Sequence, residues 1–437
     1  MLLAGAATVD VTPQGPVFLF GYPHVPRMST GVHDPLECAA LYLRSGGEQA
    51  LFLANDVIFV SKTHAAEIRR RICERTGIGE HAIMVTATHT HSGPVMIDYV
   101  SNAADPVVPK VDPQYLGLFT DRVVAAAAAA VRSAVRAEIG FALVRAEGVG
   151  SNRHDPGGPA DLDVPVIIAR SLATRTPIGC MLVCAMHPTV LHEDSTLVSA
   201  DFPGFARRYL RRQALPMSCP VLFHQGASGN QSPRHVTRAN TFAEAQRIGE
   251  LLGHQIAAAL QSVTYQRDVA VEARVASINA TPRLFPTPEV ARRDLIAARD
   301  RYAQLKDQRA ARQIVRTAEC DVFGAEETVE LAGASRDGRL AAAIAACMPA
   351  EIQVITVGGW AFAGWPGEFF VEYALELRRR LPGTFVITMA NGELQGYIVT
   401  EETAARPKPF SAPKASNSPT LKYEVPRSTP RSRDMRE

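Results

Sequence analysis

Strand-like and helical segments alternate along most of this 437-residue chain, and this alternation limits the fold more than any other feature. Short, continuous apolar runs are typical of buried strands, whereas longer segments with apolar residues at helical spacing are typical of helices. The clearest predicted strands span residues 51–55, 82–86, 164–169 and 178–186, and the clearest predicted helices span 62–76, 116–138 and 242–260. Such alternation predicts an α/β protein, with layered mixed β-sheets flanked by helices.

Two segments depart from this rhythm. Residues 285–320 follow a Pro-rich turn and predict a polar helical insertion or hairpin arm, with a helix from residue 289 to about 317. Residues 404–437 contain eight Lys or Arg, three acids and six prolines, a composition typical of a partly disordered extension. We therefore predict a single large domain over residues 1–403, followed by a basic, Pro-rich tail over 404–437.

Composition excludes several classes of function. A net charge of +2 argues against capture of nucleic acid by the surface as a whole, so no nucleic-acid partner is expected. The sequence has no apolar run of the roughly 18 residues that span a membrane, and its start lacks the pattern of a secretory signal. Its seven cysteines are scattered, which predicts buried free thiols and a reducing, cytoplasmic setting.

The segment ATHTHSGP, residues 87–94, directly follows the predicted strand 82–86. Side chains two apart on extended backbone point the same way, so His89 and His91 are predicted to share a face where the strand ends. Two imidazoles at such a place suggest a functional site. The alternative is that one is a solvated loop histidine and the other a structural one.

Polar residues also follow four other predicted strands at their carboxyl ends, where α/β sheets bind ligands. A single pocket at this edge is predicted to collect His89, His91, His187, Ser232, Glu368 and Tyr397. Two histidines and a carboxylate suit a catalytic zinc ion with an open position for water. Spacing alone does not decide this, because His187 lies 98 residues after His89 and 181 before Glu368.

Several short segments, in the same order, resemble the catalytic domain of the neutral/alkaline, non-lysosomal ceramidase family. The segments that carry the resemblance are 31–36 (GVHDPL), 88–94 (THTHSGP), 151–153 (SNR), 187–189 (HPT), 229–233 (GNQSP), 367–369 (GEF) and 396–397 (GY). They extend over most of residues 4–400. The resemblance implies a zinc-dependent amidase that cleaves the N-acyl bond of ceramide, a sphingolipid.

The resemblance also implies roles for individual residues. Zinc ligation falls to His89, His187, Glu368 and Tyr397, the last as a phenolate favoured by the cation. His91 becomes a proton shuttle or a hydrogen-bond donor to the carbonyl, and Arg153 orients the substrate or balances negative charge.

Ser232 aligns with a serine of the family, as a covalent nucleophile or as a hydrogen-bonding group beside an attacking hydroxide. The absence of a Gly-x-Ser-x-Gly elbow favours the second role, and a plain turn is the structural alternative. The glycine-rich approach to Ser232, with Gly226 and Gly229, would allow backbone N–H groups to face an oxyanion.

Three functions follow, in order of preference. The first is a zinc-dependent hydrolase of an amide (N-acyl) bond, the second a metal-dependent esterase or lactonase on the same scaffold, and the third a non-catalytic binding protein. The expected partner is a small N-acyl or ester substrate. Larger family members carry a C-terminal immunoglobulin-like domain, which is not expected here. The family also has a further active-site tyrosine after the metal-binding one, and Tyr423 is the candidate for it in this sequence.

Other residues are assigned structural roles. His33 and Asp34 are expected to fix an N-terminal loop, and Trp360 and Trp365 to lie in the core or a pocket wall. Six further histidines are predicted to be surface or hydrogen-bonded loop residues: His24, His154, His192, His224, His235 and His254.

Overall fold

The computed structural model describes residues 1–22, 25–103, 105–279 and 284–405. Its strands up to residue 184 are β1 (Leu2–Asp10), β2 (Leu19–Phe20), β3 (Gly31–Val32), β4 (Glu37–Ser45), β5 (Glu48–Asn55), β6 (Ile83–Ala87), β7 (Gly93–Pro94), β8 (Val135–Arg145), β9 (Ser151–Asn152), β10 (Asp163–Ser171) and β11 (Pro177–Cys184). The later strands are β12 (Leu197–Val198), β13 (Val221–Gln225), β14 (Gln231–Ser232), β15 (Tyr265–Gln266), β16 (Val271–Ile278), β17 (Ala350–Val357), β18 (Trp360–Gly364), β19 (Glu368–Phe369), β20 (Thr384–Ile387) and β21 (Tyr397–Ile398). The helices are α1 (Lys62–Thr76), α2 (Pro113–Arg132), α3 (Asp201–Gln213), α4 (Phe242–Leu260), α5 (Pro288–Asp307), α6 (Arg312–Arg336), α7 (Arg339–Cys347), α8 (Val371–Arg380) and α9 (Glu401–Ala405).

A large mixed sheet forms the centre of the fold, in the order β13-β11-β10-β8-β1-β4-β5-β6, with β15 paired to β8. The pairs β5–β6 and β11–β13 are parallel and the others antiparallel. Its inner strands are buried on both faces, which explains why they are continuous apolar runs in the sequence.

A second sheet, β16-β17-β18-β20, packs against one face of the first. The ring of Phe52 on β5 meets that of Phe362 on β18 edge-on, with 5.8 Å between centroids. Helices α1 and α2 pack on the β1–β4–β5 part of the main sheet, and α3 and α4 on the part formed by β8, β10, β11 and β13. The predicted fold class, layered mixed sheets flanked by helices, is therefore confirmed.

Local sequence sets the helix ends. The side chain of Ser61 accepts a hydrogen bond from the backbone N–H of His64 at the start of α1, and Gly77 ends that helix with a left-handed φ of 74°. Asp112 and Thr287 cap α2 and α5 in the same way, each followed by a proline at the first helical position.

Two predicted helices are wrong in extent. The helix predicted over 116–138 ends at Arg132, because residues 135–145 form β8 and pair with β10. The helix predicted from 289 to about 317 is interrupted after Asp307, where Arg309 has a left-handed φ of 50°, so that α5 and α6 form a hairpin. The helical segment also continues past residue 320 to Cys347, since α6 has an apolar face that includes Ala318, Val322 and Leu331.

Some expectations lie outside the described residues: those on His24, on Tyr423 and on tail residues 406–437. All seven cysteines are free thiols, and five of them are buried. Among the described residues, no helix combines the length and the apolar character that a membrane crossing needs.

A buried carboxylate joins the loop after β20 to α1. Glu393 is 7% exposed, and its Oε2 accepts a hydrogen bond from the backbone N–H of Lys62 at 2.9 Å. Burial raises the pKa of Glu393 from its ordinary 4.5 to about 7. The folded state therefore binds this proton more tightly than the unfolded state. The resulting stabilisation is complete below about pH 4.5 and is lost as the pH rises through about 7.

Replacing Glu393 with Gln keeps the acceptor and removes the charge. We expect Glu393→Gln to raise the free energy of unfolding by about 1–3 kcal/mol at pH 8, and by much less at pH 5. Urea unfolding at the two pH values measures the difference. Glu80→Gln, at an exposed carboxylate, is the control and should show no such pH dependence. An equal effect of Glu393→Gln at both pH values would contradict the assignment.

Candidate metal centre

The site lies beyond the carboxyl ends of β6, one edge strand of the main sheet, and β11, the strand next to its other edge. His89 and His91 follow β6, and His187 follows β11. Glu368 and Tyr397 lie in the short parallel ladder of β19 and β21, where they are register partners. The second sheet is tied to β6 at this edge, because the backbone N–H of Ala87 donates to the carbonyl of Met389. This is the arrangement that the carboxyl-end rule predicts.

His89 does not continue the strand. Extended backbone ends at Ala87, and His89 has a φ of 68°, a left-handed conformation that costs a non-glycine residue about 1–3 kcal/mol. Its backbone N–H donates to the carbonyl of Val57, which holds this turn. The prediction that strand alternation aligns His89 and His91 is therefore wrong in its geometry, although the two imidazoles do meet.

Backbone carbonyls fix the orientation of two imidazoles. His89 Nδ1 lies 2.9 Å from the carbonyl of Ile58, and His187 Nδ1 lies 2.7 Å from that of Ser228. A carbonyl only accepts, so both Nδ1 atoms carry hydrogen and both Nε2 atoms of the neutral rings present lone pairs. Ligating histidines are commonly oriented through their second ring nitrogen in this way.

These lone pairs point at one another. His89 Nε2 and His187 Nε2 are 3.0 Å apart, and Glu368 Oε2 lies 3.1 Å from the second and 3.4 Å from the first. Glu368 Oε2 is buried and has no hydrogen-bond donor among the described residues. Three acceptors converging without a hydrogen between them repel one another unless a cation lies between them.

The spacing fits a metal ion. Ligands 2.0–2.1 Å from a tetrahedral zinc ion are separated by about 3.3–3.4 Å, close to the distances between these three atoms. All three residues are at least nine-tenths buried. The histidine cluster His89, His91 and His187 can therefore hold a metal ion. The carboxylate of Glu368 lies beside this cluster.

Electrostatics keep these groups in their ligating forms. Burial and the charge of Arg153 lower the pKa of His187 to about 4, so its imidazole is neutral. Burial opposes ionisation of Glu368, but positive charge on the adjoining His89 and His187 rings outweighs it and holds the pKa of this carboxyl well below its usual range. A metal cation between the rings would supply positive charge at the same place. Neutral imidazole and ionised carboxylate are the forms that bind metals.

Tyr397 needs a cation to ionise. Burial raises the pKa of its phenol, and the guanidinium of Arg153 opposes this rise only in part. Arg153 lies over the Tyr397 ring at 5.0 Å, and Tyr397 hydrogen-bonds with both Arg153 and Glu368. The phenol therefore lies beside Glu368 and Arg153.

His91 faces the same centre from another side. Its Nε2 is 3.3 Å from His89 Nε2, and its Nδ1 is buried without a partner among the described residues. Burial and the two neighbouring imidazoles lower the pKa of His91 well below its usual range. The geometry permits either a third histidine ligand or a neutral base.

The structure does not bring Ser232 into the cavity at this centre. Its side chain caps a 3₁₀ turn by accepting from the backbone N–H of Arg234 at 3.2 Å. The N–H groups of Gly226 and Gly229 donate to the carbonyls of Cys184 and Phe369. The N–H groups of these two glycines are therefore used within the fold and are not available to an oxyanion.

Gly229 has a different function from the expected one. A Cβ there would lie 2.8 Å from the carbonyl oxygens of Glu368 and Phe369. Glycine therefore lets the loop approach the strand that carries Glu368.

Among the described residues, the histidines outside the cluster and both tryptophans do not line the cavity at this centre. His224 is not a loop residue: it is fully buried on β13 and hydrogen-bonds Thr86 Oγ1 at 2.8 Å. Asp34, beside His33, accepts from Ser199 and Ala200 and fixes the N-terminal loop as expected. His154 contacts Phe370, and His192 contacts Asn240. His235 contacts the Arg153 carbonyl, and His254 contacts Tyr209. Trp360 and Trp365 pack against core aromatic rings.

A deep cavity opens onto the centre and encloses about 1120 Å³, including the part open to solvent. One wall consists of the rings of Phe20, Phe59 and Tyr99, and the other of aliphatic side chains of α6 and α7, among them Leu331, Leu340 and Ile344. We call this space the metal cavity. Arg153 is absent from its lining and faces a smaller neighbouring cavity that shares Tyr397.

Comparison with known proteins points to one group. The chain is 22% identical over 236 residues to the neutral ceramidase of Mycobacterium tuberculosis (strain ATCC 25618 / H37Rv), a match that covers 48% of this chain and 36% of that protein. The neutral ceramidase of Pseudomonas aeruginosa superposes with a TM-score of 0.69 at 16% identity, over 94% of this chain and 71% of that one. A structure described as ceramidase complexed with C2 gives 0.71 at 14% identity, over 96% and 72%.

This chain resembles the neutral ceramidases. The resemblance inferred from short segments is confirmed, and the solved ceramidases share the fold over nearly all of the chain. No protein-family model matches the sequence. The chain spans about a third of the length of the curated ceramidase it matches.

Sequence reasoning missed one residue that shapes the ceramidase-like site. Gly21 lines the metal cavity with a φ of 123°, and a Cβ there would lie 2.5 Å from Cγ and Nδ1 of His91. Glycine is thus required for the position of His91. Nothing in the sequence around residue 21 signals this contact, because the two residues are 70 positions apart.

We expect Gly21→Ala to lower kcat/KM about 100-fold, because displacing a reacting group by about 1 Å costs that much. Gly46→Ala is the control, since Gly46 also has a positive φ, 62°, but open space around it. Metal analysis of Gly21→Ala separates the two roles of His91: retained metal indicates a base, and lost metal a ligand. Activity equal to that of the control would show that His91 is not needed in this position.

Proposed function

We propose that this chain is a zinc-dependent hydrolase that cleaves an amide (N-acyl) bond, with His89, His187, Glu368 and Tyr397 as the zinc ligands. The observation that carries the proposal is the convergence of two imidazole lone pairs and a carboxylate oxygen on one buried point. The resemblance to neutral ceramidases supports the reaction class.

A zinc ion at this point would polarise a substrate carbonyl and acidify water near neutral pH. His91 presents Nε2 to the centre as a neutral base, so it can take a proton at that atom and return it to the leaving nitrogen. Arg153 acts through Tyr397: its guanidinium lies over the ring, hydrogen-bonds the phenol and favours the phenolate.

The metal cavity supports an acyl substrate. Its walls are largely aromatic and aliphatic, so an apolar chain can lie along α6 and α7 while the scissile bond reaches the centre. An N-acyl lipid of the ceramide class fits these walls. Ser232 is assigned a positioning role in the loop beside the site rather than that of a nucleophile.

A substrate panel with controlled metal content tests the proposal. The probes are a fluorescent short-chain ceramide, an N-acyl homoserine lactone and a p-nitrophenyl acyl ester, each with zinc-loaded and chelator-dialysed protein. We expect amide cleavage in the loaded protein, its loss on dialysis and its return with zinc. Cleavage of the ester or lactone alone would indicate the esterase or lactonase. Undiminished activity after metal removal would refute the zinc mechanism, and no turnover would favour a binding protein.

A further inference from the structure

Buried polar atoms without a hydrogen-bond partner mark places that a ligand completes. Three such atoms belong to described residues that line the metal cavity: His91 Nδ1, Glu368 Oε2 and the hydroxyl oxygen of Tyr99. The proposed function uses the first two residues. It leaves Tyr99 without a role.

Tyr99 is held firmly in the cavity wall. Its ring lies edge-on to Phe59 at 5.3 Å and tilted against Phe20 at 5.9 Å, and Phe59 in turn lies edge-on to His89 at 4.9 Å. The next backbone N–H, of Val100, donates to the side chain of Gln395, close in sequence to Tyr397. Tyr99 is therefore fixed relative to residues on both sides of the centre.

The hydroxyl of Tyr99 is a hydrogen-bond donor. Burial, with the charges of Glu368, Glu393 and Glu327, raises the pKa of this phenol well above its usual value, so it stays protonated. None of these carboxylates accepts its hydrogen in the described part of the chain. A buried donor left unpaired is unfavourable, and a bound acceptor would remove that penalty.

We propose that Tyr99 donates a hydrogen bond to an oxygen of the substrate's acyl group in the metal cavity. This rests on the proposed function and adds a residue to it. Arg153 does not line this cavity, whereas Tyr99 does and offers a neutral donor. The ligand class is an acyl compound with an apolar chain and a carbonyl or carboxylate oxygen.

Tyr99→Phe removes the hydroxyl and keeps the ring. We expect kcat/KM on the cleaved probe of the panel to fall at least about 10-fold, with metal content unchanged and a melting temperature equal or higher, because no hydrogen bond is lost. Tyr115→Phe is the matched control. Its hydroxyl donates to the carbonyl of Val11 in the core at 2.8 Å, so it should lower the melting temperature and leave kcat/KM unchanged.

A binding measurement separates this inference from the proposed function. Calorimetry with dodecanoate, an acyl product, should show binding to the zinc-loaded protein that weakens at least about 5-fold in Tyr99→Phe. If the wild type cleaves no probe, the proposed hydrolase function is refuted. The binding measurement still tests whether the Tyr99 hydroxyl contributes to ligand affinity. Equal affinity in both proteins, or no binding to either, overturns the role of Tyr99. So does activity lost together with metal or thermal stability, which would indicate a structural role.

Discussion

Replacing His187 with alanine is expected to abolish metal binding and to lower kcat/KM by about 1000-fold or more. His187 is fully buried, and its Nε2 lies within 3.1 Å of both His89 Nε2 and Glu368 Oε2. Without it the centre loses a neutral ligand whose direction the Ser228 carbonyl fixes. A metal ion contributes several kcal/mol to such reactions, which corresponds to a loss of this size.

Plasma emission spectrometry on the dialysed protein gives the metal content, and initial rates on the cleaved probe give kcat/KM. His254→Ala is the control, because His254 lies on an exposed part of α4 and its ring contacts Tyr209. Circular dichroism checks that both variants fold. A folded His187→Ala protein that keeps its metal and its rate would remove His187 from the centre.

Replacing Arg207 with alanine is expected to lower the free energy of unfolding by about 3–5 kcal/mol. Arg207 on α3 and Asp56 after β5 are both fully buried and form a two-pronged ion pair. Removing the guanidinium leaves the Asp56 carboxylate uncompensated in the core, which is the costly way to break a buried pair. Thr88, next to His89, also donates to Asp56, so the pair supports the turn that carries His89.

Arg70→Ala provides the comparison. Arg70 pairs with Glu67 and Glu74 on the surface of α1 and is half exposed, so its loss should change stability by less than about 1 kcal/mol. Chemical denaturation followed by fluorescence measures both variants. Equal effects would mean that burial does not determine the contribution of the Arg207–Asp56 pair.

Sequence reasoning predicted the layers of the fold because buried strands have an unmistakable composition. Strands β5, β6 and β11 are short apolar runs, and polar residues follow each of them. The rule that ligands gather at carboxyl ends predicted one pocket for His89, His91, His187, Ser232, Glu368 and Tyr397. His89, His187 and Glu368 do converge, whereas the Ser232 side chain caps a turn.

Features that depend on tertiary contacts were not predictable. Residues 135–138 continue the helical pattern of α2, yet pairing of β8 with β10 makes them a strand. His89 takes a left-handed φ because the carbonyls of Val57 and Ile58 hold its backbone and its ring. The need for glycine at residue 21 comes from a ring 70 positions away.

The proposed hydrolase function depends on a single cation held between His89, His187, Glu368 and Tyr397. Anomalous diffraction above and below the zinc absorption edge, from crystals of the zinc-loaded protein, tests this most directly. We expect one strong peak about 2.0–2.1 Å from both Nε2 atoms and Glu368 Oε2, and within bonding distance of the Tyr397 oxygen. A peak elsewhere, or none at these four side chains in a zinc-loaded crystal, would contradict the account.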